Sequence, residues 1–206
     1  MSTILFCKRE LGIFSDSTIV DWNSYLREVC AETLISKPIS IGGKDMSVEI
    51  DESLFVRRKY NIGHSVSQQW VFGGICRETK DAFLYSVENR SEEVLLPAIK
   101  HSIKPFTTII SDEWKGYKNI FNIEGMSYRH ITVNHTKEFI NKETRACTNM
   151  VESMWAKAKL RNKKQWGTHK TMLDSYLCEY MWRKRLANND PYEQILKDIV
   201  EVYPLQ

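Results

Sequence analysis

The chain should fold as an α/β structure, a mixed sheet with helices laid against it. Three features say so. Three short β-rich runs lie between residues 47 and 88 with brief polar links, the mark of an antiparallel meander. Helical and extended stretches then alternate as far as residue 133. From 148 to 186 the pattern is almost wholly helical.

The bulk properties permit such a fold. The 206 residues are 42% hydrophobic and 27% charged, close to a globular average. Six Trp, nine Tyr and eight Phe argue against disorder. The 29 basic and 26 acidic residues leave a net charge of +3, which excludes a histone-like tail or an acidic solvating protein. No run of about 18 apolar residues is present, so no membrane helix is expected. The start, MSTILFCKRE, lacks a basic region before its short apolar run and does not read as a signal peptide. Five cysteines, widely spaced and without CxxC, predict neither a disulfide framework nor a cysteine zinc site. A reducing, intracellular location follows, the nucleus in a eukaryotic host and the cytoplasm otherwise.

Residues 17–31 carry Ile19, Trp22, Leu26 and Val29 at helical spacing, with Ser17 or Thr18 as cap. Gly12 lies before this helix, so the start reads as helix, turn, helix. Lys37-Pro38 and Ile41-Gly42-Gly43 break the pattern and place a boundary near 36–46. The expected division is a helical N-terminal segment, 1–45, and an α/β domain with C-terminal helices, 46–206. Strands are predicted over 47–56, 69–76, 82–88, 106–111 and 128–133, and helices over 91–101 and 113–121. Pro97 should kink the helix over 91–101. A break near Gln165-Trp166-Gly167 divides the late helical region, and a last helix covers about 191–202. Strand, strand, strand, helix, strand, helix, strand, helix is similar to the order of a ribonuclease-H-like core.

Three carboxylates stand out. Asp51 sits inside an apolar strand, Asp112 just past the end of another, and Glu152 in the first turns of a helix. A carboxylate in a buried strand is costly unless its charge is offset. A hard divalent cation would do so. Three carboxylates on neighbouring elements can hold two ions about 4 Å apart, an arrangement suited to in-line phosphoryl displacement. Lys159 lies nearly two helical turns after Glu152 and Asn149 one turn before it, so the three share a helix face. That lysine would meet a DNA phosphate. Val151, Met154, Trp155 and Ala158 form the stripe that docks this helix.

The late region is strongly basic. Lys157, Lys159, Arg161, Lys163, Lys164, Lys170, Arg183, Lys184 and Arg185 face only Asp174 and Glu179, a local excess of +7. Such a stripe, interleaved with Trp155, Trp166 and Trp182, suits a phosphate backbone. Arg57-Arg58-Lys59 would extend it, and His135 follows a strand toward the same site.

Four segments in order carry a family resemblance: Val48-Glu49-Ile50-Asp51-Glu52-Ser53, Ile110-Ser111-Asp112-Glu113-Trp114-Lys115-Gly116-Tyr117, Val133-Asn134-His135, and Thr148-Asn149-Met150-Val151-Glu152-Ser153-Met154-Trp155. With 61 positions from Asp51 to Asp112 and 40 from there to Glu152, residues 46–186 resemble a DDE transposase domain of the Merlin and insertion-sequence XO type. That resemblance implies a ribonuclease-H-like fold and an Asp51, Asp112, Glu152 triad binding two Mg²⁺ or Mn²⁺ ions. It also implies a lysine at the place of Lys159, cutting at transposon ends with joining to target DNA, and a homo-oligomer as the active form. Relatives of this type carry a zinc ribbon and a helix-turn-helix before the core. Here no zinc-spaced cysteines precede Asp51, and only Ser17 to Cys30 matches the last helix of a helix-turn-helix. Three readings stay open: an active transposase, a truncated or domesticated DNA-binding protein that no longer cuts, and a nuclease on the same fold.

Overall fold

The computed structural model describes residues 4–56, 68–133, 147–164 and 167–204. They form two compact units. One runs from Ile39 to Leu177; the other joins the residues before it to those from Cys178 onward.

The larger unit is built on a five-stranded sheet of order β3-β2-β1-β4-β5. Its strands are β1 (Ser47–Val56), β2 (Gln69–Cys76), β3 (Ala82–Val87), β4 (Thr108–Ser111) and β5 (Arg129–Thr132). The first three form the antiparallel meander. After it, β4 and β5 join parallel to β1, so β1 is central. This mixed sheet, flanked by helices, is the ribonuclease-H-like arrangement anticipated from the element order.

Alternation along β1 sorts its side chains onto two faces. Val48 and Ile50 pack with Ile109 of β4 and with Leu95 and Ile99 of α3 (Glu92–Ser102). Glu49, Asp51, Ser53 and Phe55 take the opposite face. There α4 (Asn149–Lys164) buries Val151, Met154 and Trp155. Ala158, the fourth residue of the expected stripe, is only half-buried. Pro97 is tolerated within α3, where it withdraws one N–H from the ladder.

Two 3-10 turns, Lys115–Tyr117 and Ile120–Asn122, replace the helix expected over 113–121. Gly116 accounts for part of this. It is buried where an added Cβ would stand 3.0 Å from the Arg90 carbonyl and 3.1 Å from Leu95, so the segment packs close against its neighbours. The strand expected from Phe106 begins at Thr108, because Phe106 takes a positive φ of 63°.

The second unit is helical. It holds α1 (Ile4–Leu11), α2 (Asp16–Ser36), the end of α5 (Lys170–Arg185) and α6 (Pro191–Val202). The second of these runs longer than the 17–31 expected, and Ser15, not Ser17 or Thr18, precedes its first turn. Cys30, Leu34, Trp182 and Leu186 form its core. Within it the Trp182 indole donates to buried Asp198, and Asp190 caps α6. All five cysteines are free thiols. Among the described residues no helix is long and apolar enough to cross a membrane.

Candidate active site

Strand register places the first two acids. β1 and β4 run parallel, with Glu49 level with Ile110. Two residues further along come Asp51, still within β1, and Asp112, and neighbouring strands lie about 4.8 Å apart. Asp112 lies one residue past β4, where its Oδ1 accepts from the Trp114 N–H at 3.0 Å, a turn that ends the strand.

A helix covers that face. Across the ladder from Asp51 stands Gly73. Its missing side chain leaves room for α4: a Cβ there would lie 2.9 Å from Trp155 and 3.1 Å from Met154. Trp155 uses that room, and its indole N–H donates to Asp51 Oδ2 at 3.1 Å. Phe55 meets the same indole edge-on, with ring centroids 6.0 Å apart. Further along, the Asn162 amide donates to the Phe55 carbonyl at 2.9 Å. Helix and strand therefore run side by side. Six strand residues at about 3.3 Å and twelve helical ones at about 1.5 Å both span close to 20 Å.

Electrostatics tie the three acids together. Burial first, then the negative charge of Asp112 and a smaller push from Glu152, raise Asp51 to about 6. The Trp155 hydrogen bond pulls the other way. Glu152 itself is exposed at the edge of α4. Beneath them Glu52, on the opposite face of β1, is driven by burial to about 7. One of its oxygens is buried with no hydrogen-bond partner, and the Tyr117 hydroxyl approaches it without a well-aligned bond.

Lys159 is half-buried, its ammonium 5.3 Å from the centre of the Phe55 ring. Desolvation lowers its proton affinity, and attraction to Asp51 opposes that. It thus shares the field of the acids. Asn149, the first residue of α4, is exposed. The Arg161 guanidinium lies over Tyr176 of α5, 3.9 Å from the ring centre. Lys163 and Lys164 are exposed at the end of α4. Arg183, Lys184 and Arg185 belong to the helical unit. His135 and Arg57-Arg58-Lys59 lie outside the described residues.

The donor chemistry suits a hard divalent cation. It offers carboxylate oxygens, with one half-buried acid, Asp51, whose charge its neighbours make costly. Among the described residues, no group of three or more His, Cys, Asp or Glu side chains is gathered closely enough to hold a metal ion.

Three groups went unnoticed in the sequence. They are the Trp155 indole as donor to Asp51, the buried Glu49, and Arg77, which pairs with Glu49 at 2.7 Å. Glu49 carried a signal: an acid two places before Asp51 must share its face.

Residues 41–184 match the family described as the ISXO2-like transposase domain. An "Uncharacterized transposase-like protein" of Haemophilus influenzae is 28% identical over 115 residues, 56% of this chain and 89% of that one. Among solved structures, the HTLV-2 integrase catalytic core domain in complex with magnesium aligns at a TM-score of 0.47. It is 12% identical over 73% of this chain and 91% of that one. The catalytic core domain of BIV integrase aligns at 0.44, 11% identical over 76% of this chain and 97% of that one.

Proposed function

Because the chain belongs to the ISXO2-like transposase domain family, we propose that it cuts DNA at transposon ends and joins it to a target, using divalent ions held by Asp51, Asp112 and Glu152. The observation that carries this reading is the half-buried, like-charged pair. Asp51 lies on β1 and Asp112 one residue past the end of adjacent β4, and the proton affinity of Asp51 is raised by burial and by its neighbour. Such a pair is costly to fold and suits a cation site.

When bound, two Mg²⁺ or Mn²⁺ ions would activate the attacking oxygen and stabilise the leaving one. The chain's own groups do the rest. Trp155 fixes one Asp51 oxygen and leaves the other for the ion. Lys159, steadied on the Phe55 ring, meets the phosphate flanking the cut. Asn149, on the first turn of α4, contacts the DNA beside it. Lys163 and Lys164 continue the track along the backbone. Cutting and joining two ends calls for at least two copies, so the active form is a homo-oligomer.

Glu152→Gln tests the assignment. It keeps size and helix propensity but removes a charge the ion needs. Melting temperature and DNA binding should persist while single-turnover cleavage with Mg²⁺ or Mn²⁺ falls by orders of magnitude. Near-normal cleavage removes Glu152 from the site. Absence of cleavage by the parent on any matched end favours the non-cutting reading.

A further inference from the structure

Glu49 is the most deeply buried acid of the α4 face, with no exposed surface at all. Its Oε1 accepts from Arg77 Nε at 2.7 Å. Its Oε2 accepts from the backbone N–H groups of Met150 and Val151 at 2.8 and 3.0 Å. These are among the first N–H groups of α4, which lack partners within a helix. The acceptor comes from a different element, about a hundred positions earlier in the chain, and its charge suits the positive helix end. Arg77 closes the arrangement: its Nη2 donates to the Cys147 carbonyl at 2.6 Å and touches the Cys147 sulfur at 3.2 Å, just before the helix.

The placement matters more than the count of bonds. Asp51 follows Glu49 by two residues on the same strand face, and Glu152 follows Val151 directly. One carboxylate thus bridges the backbone beside one proposed ligand to the backbone beside another. If α4 slipped by a turn, Glu152 would move by about 5.4 Å. Ligand geometry tolerates about 0.5 Å. The other ties between β1 and α4, from Trp155 to Asp51 and from Asn162 to Phe55, resist tilting but lie further along the helix.

We infer that Glu49, held by Arg77, is a positioning residue that fixes Glu152 of α4 relative to Asp51 and so sets the affinity of the site for its divalent ions. This rests on the proposed function and adds to it a residue that touches neither metal nor DNA.

The test uses Mn²⁺ binding to the full chain, followed by titration calorimetry at a temperature where circular dichroism shows parent and variants folded. Glu49→Gln keeps the shape but removes the charge shared by Arg77 and the helix end. It should weaken Mn²⁺ binding at least tenfold, the scale seen when groups supporting metal ligands are lost. The Mn²⁺ concentration for half-maximal cleavage should rise by the same factor, with affinity for DNA unchanged. On a Glu152→Gln background, Glu49→Gln should weaken Mn²⁺ binding no further, because its route to the metal is gone. Should Glu49→Gln fail to fold, Arg77→Lys decides in the same assay. It keeps the charge beside Glu49 but loses the fork that reaches Cys147, and a severalfold weakening is expected. A folded variant that binds Mn²⁺ as the parent does overturns the role of Glu49, even if its melting temperature falls. A parent that binds no Mn²⁺ and cuts no end overturns the metal site, and the role of Glu49 with it.

Discussion

Replacing Asp51 with Asn should stabilise the metal-free protein at pH 8 while ending its activity. Burial, then the charge of Asp112, raise this carboxyl from its ordinary 3.8 to about 6. The folded chain therefore holds that proton more tightly than the unfolded one. Stability contributed by this group falls as pH rises from about 4 to about 6, and stays low above. At about 1.4 kcal/mol for each tenfold change in proton affinity, the full cost above pH 6 is about 3 kcal/mol. The Asn variant carries no such charge and still offers an oxygen to the Trp155 indole. Its gain should be about 3 kcal/mol at pH 8, roughly half that at pH 5, and under about 1 at pH 4. At about 2–4 °C per kcal/mol for a chain of this size, the melting temperature should rise by up to about 10 °C at pH 8. Glu52 is raised to about 7 chiefly by burial, which both proteins share, with the Asp51 charge a lesser cause. Thermal melts of both proteins in EDTA at pH 8, 5 and 4 measure it. Equal melting temperatures at pH 8, or a gain that does not shrink toward acid, refute the argument. Adding Mg²⁺ should stabilise the parent alone and narrow the gap.

Gly73→Ala would place a methyl 2.6 Å from Leu84 Cδ2 and 2.9 Å from Trp155, between β2 and α4. We expect a loss of about 1–3 kcal/mol, read from the urea midpoint. Reversing charge at Lys163 and Lys164 should weaken binding to all DNA sequences alike. It should make the slope of log affinity on log salt shallower by up to about 2, because each phosphate contact contributes about 0.9. Unchanged affinity and slope would leave these lysines as a solvated face.

Much of this was legible in the sequence, for identifiable reasons. The meander was readable because β-rich runs with short links can do little else, and β1, β2 and β3 fall where expected. Register did not need to be known for Asp51 and Asp112: an acid within a strand and another at a strand's end, in sequential elements, already narrow the geometry. The helix over 113–121 was misread because its failure is tertiary. Gly116 is pressed against the Arg90 carbonyl, a contact that local periodicity cannot register. The ring beneath Arg161 was hidden for a similar cause: Tyr176 arrives from the next helix. Pairings of high sequence separation, such as Glu49 with Met150 and Val151, leave no local trace at all.

The fate of each acid on β1 separates structure from chemistry better than its position does. Glu49, Asp51 and Glu52 are consecutive or nearly so, and all three are wholly or mostly withdrawn from water. Glu49 is neutralised within the fold by Arg77 and a helix end, so its charge is spent on holding α4. Asp51 receives one indole N–H and the distant attraction of Lys159, and is pressed by two further acids. Glu52 keeps one oxygen unpartnered in the interior. A strand selected for stability alone would carry apolar residues at these positions, since buried ion pairs rarely exceed hydrophobic replacements in stability. The cost is concentrated where β1 faces Asp112 and Glu152, and it is the cost a divalent ion would remove. The acid neutralised by a cation therefore reads as scaffold, and the one pressed by like charges on the same face reads as site. The thermal response of Asp51→Asn and the Mn²⁺ response of Glu49→Gln should differ in kind: stabilisation with loss of function for the first, loss of metal affinity through misplacement of Glu152 for the second.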